Sequence, residues 1–217
     1  MAKLLYIDTS GSIATVAIAE DGAPIAVAQH ENANEQAAVL NGMVATVTEQ
    51  ANLQLKDIDG ISVCAGPGSY TGLRVGLSNA KGLCYALDKP ILLFNKLDLL
   101  AAEHVQNRAF AIALKARQGE YFYAVYDAAG KISTAPKHAM EAEIIEDINN
   151  KPDLVFVTDE QDFALTENKI VLPTNSRIDM ASWAKLAAER FASKAFDDLA
   201  YCEPFYLKAA YTTQSKK

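Results

Sequence analysis

Residues 4–22, LLYIDTSGSIATVAIAEDG, contain the pattern from which the predicted fold follows. An apolar run at 4–7 stops at residues 8–12 and resumes at 13–19 before Gly22. Short apolar runs that are bounded by polar residues and glycine are typical of strands joined by tight turns. The stretch therefore predicts a strand, a tight turn, a second strand and a second turn.

Residues 109–130, AFAIALKARQGEYFYAVYDAAG, repeat this plan in the second half of the chain. The apolar runs lie at 109–114 and 120–126, and Gly130 follows the second run. The two stretches share negligible sequence identity, so the similarity is one of plan. A repeated plan predicts two related α/β lobes.

The predicted boundary between the lobes lies near residue 107. We assign residues 1–106 to an N-terminal α/β lobe and 107–217 to a C-terminal α/β lobe, and leave open whether 198–217 pack back on the first lobe. Elsewhere, apolar residues recur every three or four positions, as in helices, or form short runs, as in buried strands. The predicted helices are 34–51, 73–87, 97–105, 141–150 and 180–195, and the further strands are 24–29, 61–65, 90–94, 154–158 and 169–172.

The composition restricts the functional class. The chain has 27 acidic and 20 basic residues among 217, a formal net charge of −7. A protein that neutralises many phosphates needs a basic face, so this charge argues against broad nucleic-acid binding. Three cysteines, few and odd in number, predict reduced thiols rather than a disulfide scaffold. No apolar stretch has the length of a membrane span or a signal peptide, so we expect a cytoplasmic protein without membrane contact.

A glycine-rich segment, residues 66–74 (GPGSYTGLR), lies between a predicted strand and a predicted helix. Small residues at such a junction let backbone N–H groups bind an anion at the helix N-terminus. The segment is neither a P-loop nor a dinucleotide fingerprint, because Thr71 stands where each motif needs glycine. The alternative is a tight strand-to-helix turn in which Ser69 or Thr71 caps the helix.

The polar residues 8–10 end the first predicted strand, where α/β proteins often place catalytic or phosphate-contacting groups. The alternative for them is a local turn between two strands. The candidate residues of an anion- or nucleotide-facing loop are Asp8, Thr9, Ser10, Gly66, Gly68, Ser69, Thr71 and Gly72.

Other catalytic chemistries lack their residue patterns. None of His30, His104 and His138 belongs to an array of His, Cys and carboxylate residues with the spacing of metal ligands, so no local metal site is predicted. The serine-hydrolase motif G-x-S-x-G is absent. Cys64 lies inside an apolar strand and is interpreted as a buried thiol.

Two of the predicted helices, 34–51 and 73–87, have unusual surfaces. The apolar side chains of the first helix cover a wider part of its circumference than contact with one sheet requires. The second helix carries several small residues. Both features fit either ordinary burial against a sheet or contact with a partner subunit. The pattern alone leaves the two alternatives open.

Four segments carry a resemblance to a known family. Residues 5–10 (LYIDTS), 66–76 (GPGSYTGLRVG), 116–120 (ARQGE) and 203–208 (EPFYLK) occur in the order and spacing of the TsaB family, also called YeaZ. The chain resembles this family over essentially its whole length. The resemblance implies an α/β actin/Hsp70/sugar-kinase-like (ASKHA) fold with two duplicated lobes.

The resemblance also implies a function. TsaB-like proteins are non-catalytic subunits that bind and stabilise TsaD in the complex that forms N6-threonylcarbamoyladenosine next to the anticodon of ANN-decoding tRNAs. A TsaE-like ATPase is the further implied partner, the tRNA is contacted only indirectly, and the chain alone forms a homodimer. No cofactor is expected on the isolated chain, and ATP or ADP at the partner interface is left open.

TsaD-like proteins have a His-x-x-x-His pair that binds a metal ion. When the family pattern is aligned with this sequence, the two histidines fall near Lys96 and Leu100. Lysine repels a cation and leucine has no donor atom, so the resemblance implies neither a metal site nor catalytic residues here. The implied partner interface comprises Glu35, Val39, Leu40, Met43, Val44, Arg74, Gly76 and Ala80.

Two positions depart from the family pattern. Lys115 stands where many relatives have aspartate, which disfavours a phosphate or metal role in the second lobe. Glu35 stands where many have histidine, which changes the charge at the rim of the implied interface. The alternative from another class is an independent ASKHA-type ATPase or small-molecule kinase that uses Asp8 and the glycine-rich segment.

Overall fold

The first half of the chain forms a mixed sheet with helices on both faces. The computed structural model describes residues 2–104, 108–160, 163, 165 and 170–208. Within these residues β1 pairs antiparallel with β2 and parallel with β4, and the strand order is β3-β2-β1-β4-β5. The elements are β1 (Lys3–Asp8), β2 (Ala14–Glu20), β3 (Ala23–His30), α1 (Gln36–Gln50), β4 (Gly60–Gly66), α2 (Tyr70–Leu87), β5 (Ile91–Asn95) and α3 (Lys96–His104).

The second half repeats this topology. Here β6 pairs antiparallel with β7 and parallel with β9, and the order is β10-β9-β6-β7-β8. The repeat confirms the predicted α/β fold with two duplicated lobes. The elements are β6 (Phe110–Arg117), β7 (Glu120–Tyr126), β8 (Ile132–Met140), α4 (Glu141–Asn149), β9 (Val155–Thr158), β10 (Val171–Pro173) and α5 (Met180–Ala192).

Strand β8 is the element that the sequence pattern did not predict. It lies at the edge of the second sheet and is largely exposed, so it lacks a strong apolar alternation. It also contains Pro136, which has no N–H to donate and is tolerated in strands mainly at edges. Of the predicted segments, residues 105, 169 and 209–217 lie outside the described residues.

The two lobes exchange helices across their interface. The α3 residues Leu97 and Leu100 pack into a core with Phe110 and Ile112 of the second sheet. In return, α5 packs on the first sheet, where Trp183 is fully buried. The first sheet is thus covered by α1 and α2 on one face and by α5 on the other.

The segment after α5 also lies on the first lobe. The Asp197 N–H donates to the Ile91 carbonyl at 3.0 Å, and the Phe205 N–H donates to the Ala65 carbonyl at 2.7 Å. Lys81 Nζ donates to the carbonyl of Ala200 at 3.1 Å. The division of the chain at 106/107 stays a prediction, because both residues lie outside the described residues. Residues from α5 onwards contact the first sheet.

A hydrogen bond fastens α3 to the second sheet. Tyr126 Oη donates to Asp98 Oδ1 at 2.7 Å, and burial raises the pKa of this half-buried Asp98 carboxyl. Tyr126→Phe leaves the carboxylate without its donor, so we expect a loss of about 1.5–3 kcal/mol in the free energy of unfolding at neutral pH. Urea denaturation measures this. Tyr201→Phe, at a side chain that is 84% exposed, is the control, and an equal loss in both variants would contradict the proposed fastening.

The structure also bears on the thiols and on membrane contact. Cys64, Cys84 and Cys202 are free thiols, and burial raises the pKa of Cys64 to about 12, so this thiol stays protonated. None of the helices within the described residues combines the length and the hydrophobicity that crossing a bilayer requires.

Candidate functional site

The turn after β1 and the loop after β4 lie side by side. Because β1 and β4 are parallel neighbours, their carboxyl ends meet at one edge of the sheet. The Ser69 N–H donates to the Ser10 carbonyl at 2.8 Å across this contact. The structure thus brings together the two segments that contain the predicted anion-facing residues.

Glycines permit this close approach. A Cβ on Gly68 would lie 2.3 Å from the Ser10 carbonyl oxygen, and a Cβ on Gly72 would lie 2.0 Å from the Thr9 carbonyl oxygen. Thr9 Oγ1 donates to the Gly72 carbonyl at 2.6 Å, which holds the turn against the first turn of α2. The close packing of residues 68–72 on the turn after β1 therefore accounts for glycine at these two positions.

Local hydrogen bonds account for Asp8 and Ser69. Ser69 Oγ accepts the Gly72 N–H at 3.2 Å and caps α2, which begins at Tyr70 rather than at the predicted residue 73. Asp8 Oδ1 accepts the Ser10 N–H at 2.8 Å, as in a local turn, whereas Thr71 is exposed. Anion binding by these residues stays a prediction, since the local turn and the helix cap already explain Asp8 and Ser69.

A cavity of about 670 Å³ lies between the lobes. Its first-lobe wall includes Ser10, Ser69 and Lys96, and its second-lobe wall comes from β6 and β7. Among the described residues that line it, four side chains are basic and one is acidic, in a chain of net charge −7. The charged members are Lys96, Lys115, Arg117, Lys208 and Asp159.

Lys115 and Lys208 pair with carboxylates of described residues. Lys115 Nζ lies 2.9 Å from Glu160 Oε2, and this hydrogen bond raises the pKa of Lys115. Lys208 pairs with Glu120, whose Oε2 also lies 2.9 Å from His138 Nε2. Sequence reasoning did not find this basic cavity, because its walls come from segments far apart along the chain.

The predicted partner interface is only partly accessible. The prediction is wrong for five of its residues, because these are buried in the core of the first lobe, where α1 and α2 pack on the sheet. Val39 is half-buried, Glu35 is exposed and pairs with His30 at 3.0 Å, and Arg74 is exposed and donates to Tyr206 Oη at 2.9 Å. The five buried residues are Leu40, Met43, Val44, Gly76 and Ala80.

Another surface of the same helices is exposed and consists largely of small, uncharged residues. No charged residue occurs from Gln36 to Thr48, and Cβ atoms on Gly42 and Gly82 would meet nothing within 4 Å. Asn79 Nδ2 donates to Asn41 Oδ1 at 2.6 Å and joins the two helices. We call this surface the α1–α2 face: Ala37, Ala38, Asn41, Gly42, Ala45 and Thr46 of α1, and Ser78, Gly82, Tyr85 and Ala86 of α2.

The structure places the two positions at which TsaD-like proteins would have metal ligands on α3. Leu100 is buried in the core between α3 and the second sheet, and Lys96 is buried beside the cavity. Within the described ranges, no three His, Cys, Asp or Glu residues are grouped so that they could hold a metal ion. Burial lowers the pKa of His104.

Comparisons with known proteins identify a family and a fold for this chain. The family model of TsaD, described as tRNA N6-adenosine threonylcarbamoyltransferase, matches residues 28–210. YeaZ from Pseudomonas aeruginosa is similar to this chain, with a TM-score of 0.79 and 21% sequence identity. The alignment covers 95% of this chain and 100% of the YeaZ chain. This likeness establishes the ASKHA-type α/β fold that the resemblance implied.

Two curated relatives match by sequence. A tRNA N6-adenosine threonylcarbamoyltransferase from Novosphingobium aromaticivorans is 42% identical over 66 residues, which are 30% of this chain and 19% of that enzyme. The tRNA threonylcarbamoyladenosine biosynthesis protein TsaB from Haemophilus influenzae is 28% identical over 123 residues, 55% of this chain and 52% of that protein. The chain thus spans about a fifth of the transferase and about half of TsaB. The resemblance to the TsaB family is confirmed.

Proposed function

Because the chain belongs to the TsaD family of tRNA N6-adenosine threonylcarbamoyltransferase proteins, we propose that it takes part in forming N6-threonylcarbamoyladenosine in tRNA. Its role is that of a non-catalytic subunit, which binds and stabilises a TsaD-like paralogue. The TsaB relative supports this role, since it aligns over 55% of the chain against 30% for the transferase. The modified base lies next to the anticodon of ANN-decoding tRNAs.

Two residues of α3 support the non-catalytic role. Lys96 presents a positive charge and Leu100 presents only hydrocarbon, so neither can ligate a metal ion. Leu100 is moreover fixed within the core, where a polar replacement would lack partners. In this proposal the paralogue supplies the metal and performs the transfer.

The α1–α2 face is the observation that carries the proposal of docking. Exposed helix faces usually carry charged side chains, whereas this face is uncharged and largely made of alanine, glycine, serine and asparagine. Small side chains let a second pair of helices approach closely, and uncharged ones lose little hydration on burial. The same face would pair two copies of the chain when the paralogue is absent.

The remaining partners follow from the proposed role. A TsaE-like ATPase joins the assembly, and ATP or ADP binds at the interface with the paralogue rather than on the isolated chain. The net charge of −7 fits indirect contact with tRNA, because the backbone of tRNA is held by basic surfaces. An assembly that modifies tRNA works where tRNA is used, so we place the protein in the cytoplasm.

Co-expression with the TsaD-like paralogue of the same organism tests the proposal. We expect the two chains to elute together in size-exclusion chromatography, at a larger mass than either chain alone. We also expect depletion of this chain to remove N6-threonylcarbamoyladenosine from tRNA digests analysed by mass spectrometry. Separate elution at micromolar concentration, or unchanged modification after depletion, would contradict the proposal, and ATP hydrolysis by the isolated chain would favour the ATPase or kinase alternative.

A further inference from the structure

A pair of asparagines joins the two helices of the α1–α2 face. Asn79 Nδ2 of α2 donates to Asn41 Oδ1 of α1 at 2.6 Å. Asn41 is exposed and lies midway along the exposed part of α1, residues 37–46, whereas Asn79 is half-buried. The other side chains of the face are mostly small, so the pair places an amide group near the centre of a surface that has few polar atoms.

The pair does not serve the stability of the free chain. Asn79 Oδ1 is buried, and none of the described residues donates a hydrogen bond to it. A buried acceptor without a donor lowers stability. Two alanines would leave no such atom and would favour the helical conformation more strongly than two asparagines do. A local choice that reduces stability in this way is typical of a functional position.

The hydrogen bond decides which atom of Asn41 is available to a partner. Its Oδ1 is held towards α2 by Asn79, while its Nδ2 forms no hydrogen bond with the described residues. An amide nitrogen has two donor hydrogens and no acceptor. Asn41 therefore offers donors to the molecule that covers the face. Thr46, another exposed polar residue of this face, instead donates to the Gly42 carbonyl of its own helix at 3.0 Å.

Pairing of two copies through this face would bring like groups together. In an isologous interface the same surface occurs on both subunits, so residues at its centre meet their own copies. Two Asn41 side chains would then meet donor to donor, because Asn79 holds each Oδ1 towards its own α2. A different chain can place a carbonyl or carboxylate oxygen opposite Asn41. Leaving polar groups unpaired in one complex and pairing them in another is a source of specificity.

We propose that this asparagine pair sets the choice of partner on the α1–α2 face. Asn41 donates to an acceptor oxygen of the TsaD-like paralogue, and Asn79 is the positioning residue that holds Asn41 for this contact. The inference rests on the proposed docking function, and it adds the residues that favour the paralogue over a second copy of the chain. In coiled coils a single asparagine in an apolar interface likewise selects the pairing at a cost in stability.

Two dissociation constants of the full chain test this choice, one for the paralogue and one for self-association, both measured by analytical ultracentrifugation. The double variant Asn41→Ala, Asn79→Ala removes the pair without leaving one amide alone. We expect its Kd for the paralogue to rise about tenfold or more, because the acceptor oxygen of the paralogue is buried unpaired. Its Kd for self-association should fall about tenfold, because the meeting of donors is removed. Its Tm should not fall, which separates partner choice from loss of the fold.

Thr46→Ala is the matched control, because it removes a polar group of the same face that is bonded within its own helix. It should leave the ratio of the two Kd values unchanged. Asn79→Ala alone serves if the double variant does not fold: it frees Asn41 Oδ1 to accept from a second copy, so self-association should tighten while the paralogue binds more weakly. A parallel change in both Kd values, an unchanged ratio in the variants without Asn79, or an equal shift of the ratio in Thr46→Ala would overturn the inference alone. Absence of any complex between the unchanged protein and the paralogue would overturn the proposed function and this inference together.

Discussion

A protein that carries glutamate in place of Gly82 is expected to lose its complex with a TsaD-like paralogue while it keeps its own fold. Gly82 is exposed on the α1–α2 face, and a Cβ there would meet nothing within 4 Å, so the free chain accommodates a side chain. In the docked complex the same side chain would be buried between helices as an unpaired charge. We expect Kd to rise about 100-fold or more, which corresponds to about 2.8 kcal/mol.

Size-exclusion co-elution and calorimetric titration with the paralogue measure this effect. Gly82→Ala adds only a methyl group and should keep the affinity within a few-fold. Gly82→Lys is similar in length to the glutamate variant but opposite in charge, so loss of binding in both shows that close approach of the helices matters. If Gly82→Glu binds as tightly as the unchanged protein, the α1–α2 face is not the docking surface.

Alanine at Gly72, on the same helix, is expected to destabilise the protein by about 3 kcal/mol or more. Its Cβ would lie 2.0 Å from the Thr9 carbonyl oxygen, a backbone atom that cannot rotate away. The helix would have to move off the turn, which would also break the hydrogen bond from Thr9 Oγ1 to the Gly72 carbonyl. The first turn of α2 and the end of β1 would then separate.

The measurement is urea and thermal unfolding of paired alanine variants. Gly72→Ala should lower Tm by about 6–12 °C or more. Gly82→Ala, where the added methyl is unobstructed, should raise stability by about 0.5–1 kcal/mol through helix propensity. A Gly72→Ala protein as stable as the unchanged one would mean that the turn does not pack on α2 as described.

The repeated strand-turn-strand plan was predictable from the sequence because both runs are apolar and bounded by polar residues. Strand β8 was not, because an exposed edge strand with a proline carries little of the alternation that marks a half-buried strand. The start of α2 at Tyr70 was also missed. It depends on the cap at Ser69, and the sequence offered Thr71 as an equal alternative.

The candidate surfaces show a further limit of sequence patterns. Spacing predicts that α1 is helical, but it does not show which side of the helix faces the sheet. Leu40 and Val44, which the family resemblance places at a partner interface, form the core of the lobe itself. The exposed side has a weaker signal, the absence of charge around Gly42. The cavity at Lys96 has no local signal at all, because the fold alone brings β6, α3 and residues 205–208 together.

Because α3 packs on the second sheet and α5 packs on the first, the order of synthesis determines when each face of the first sheet becomes covered. On the ribosome the N-terminal half emerges first, and its sheet can be covered early only by α1 and α2. The other face, which includes Leu4, Tyr6 and Phe94, has Leu99 of α3 against it but lacks its main cover until Trp183 has been translated. The nascent first lobe therefore exposes an apolar surface until α5 emerges, and it completes its fold only after β6 to β10 of the second lobe have been translated.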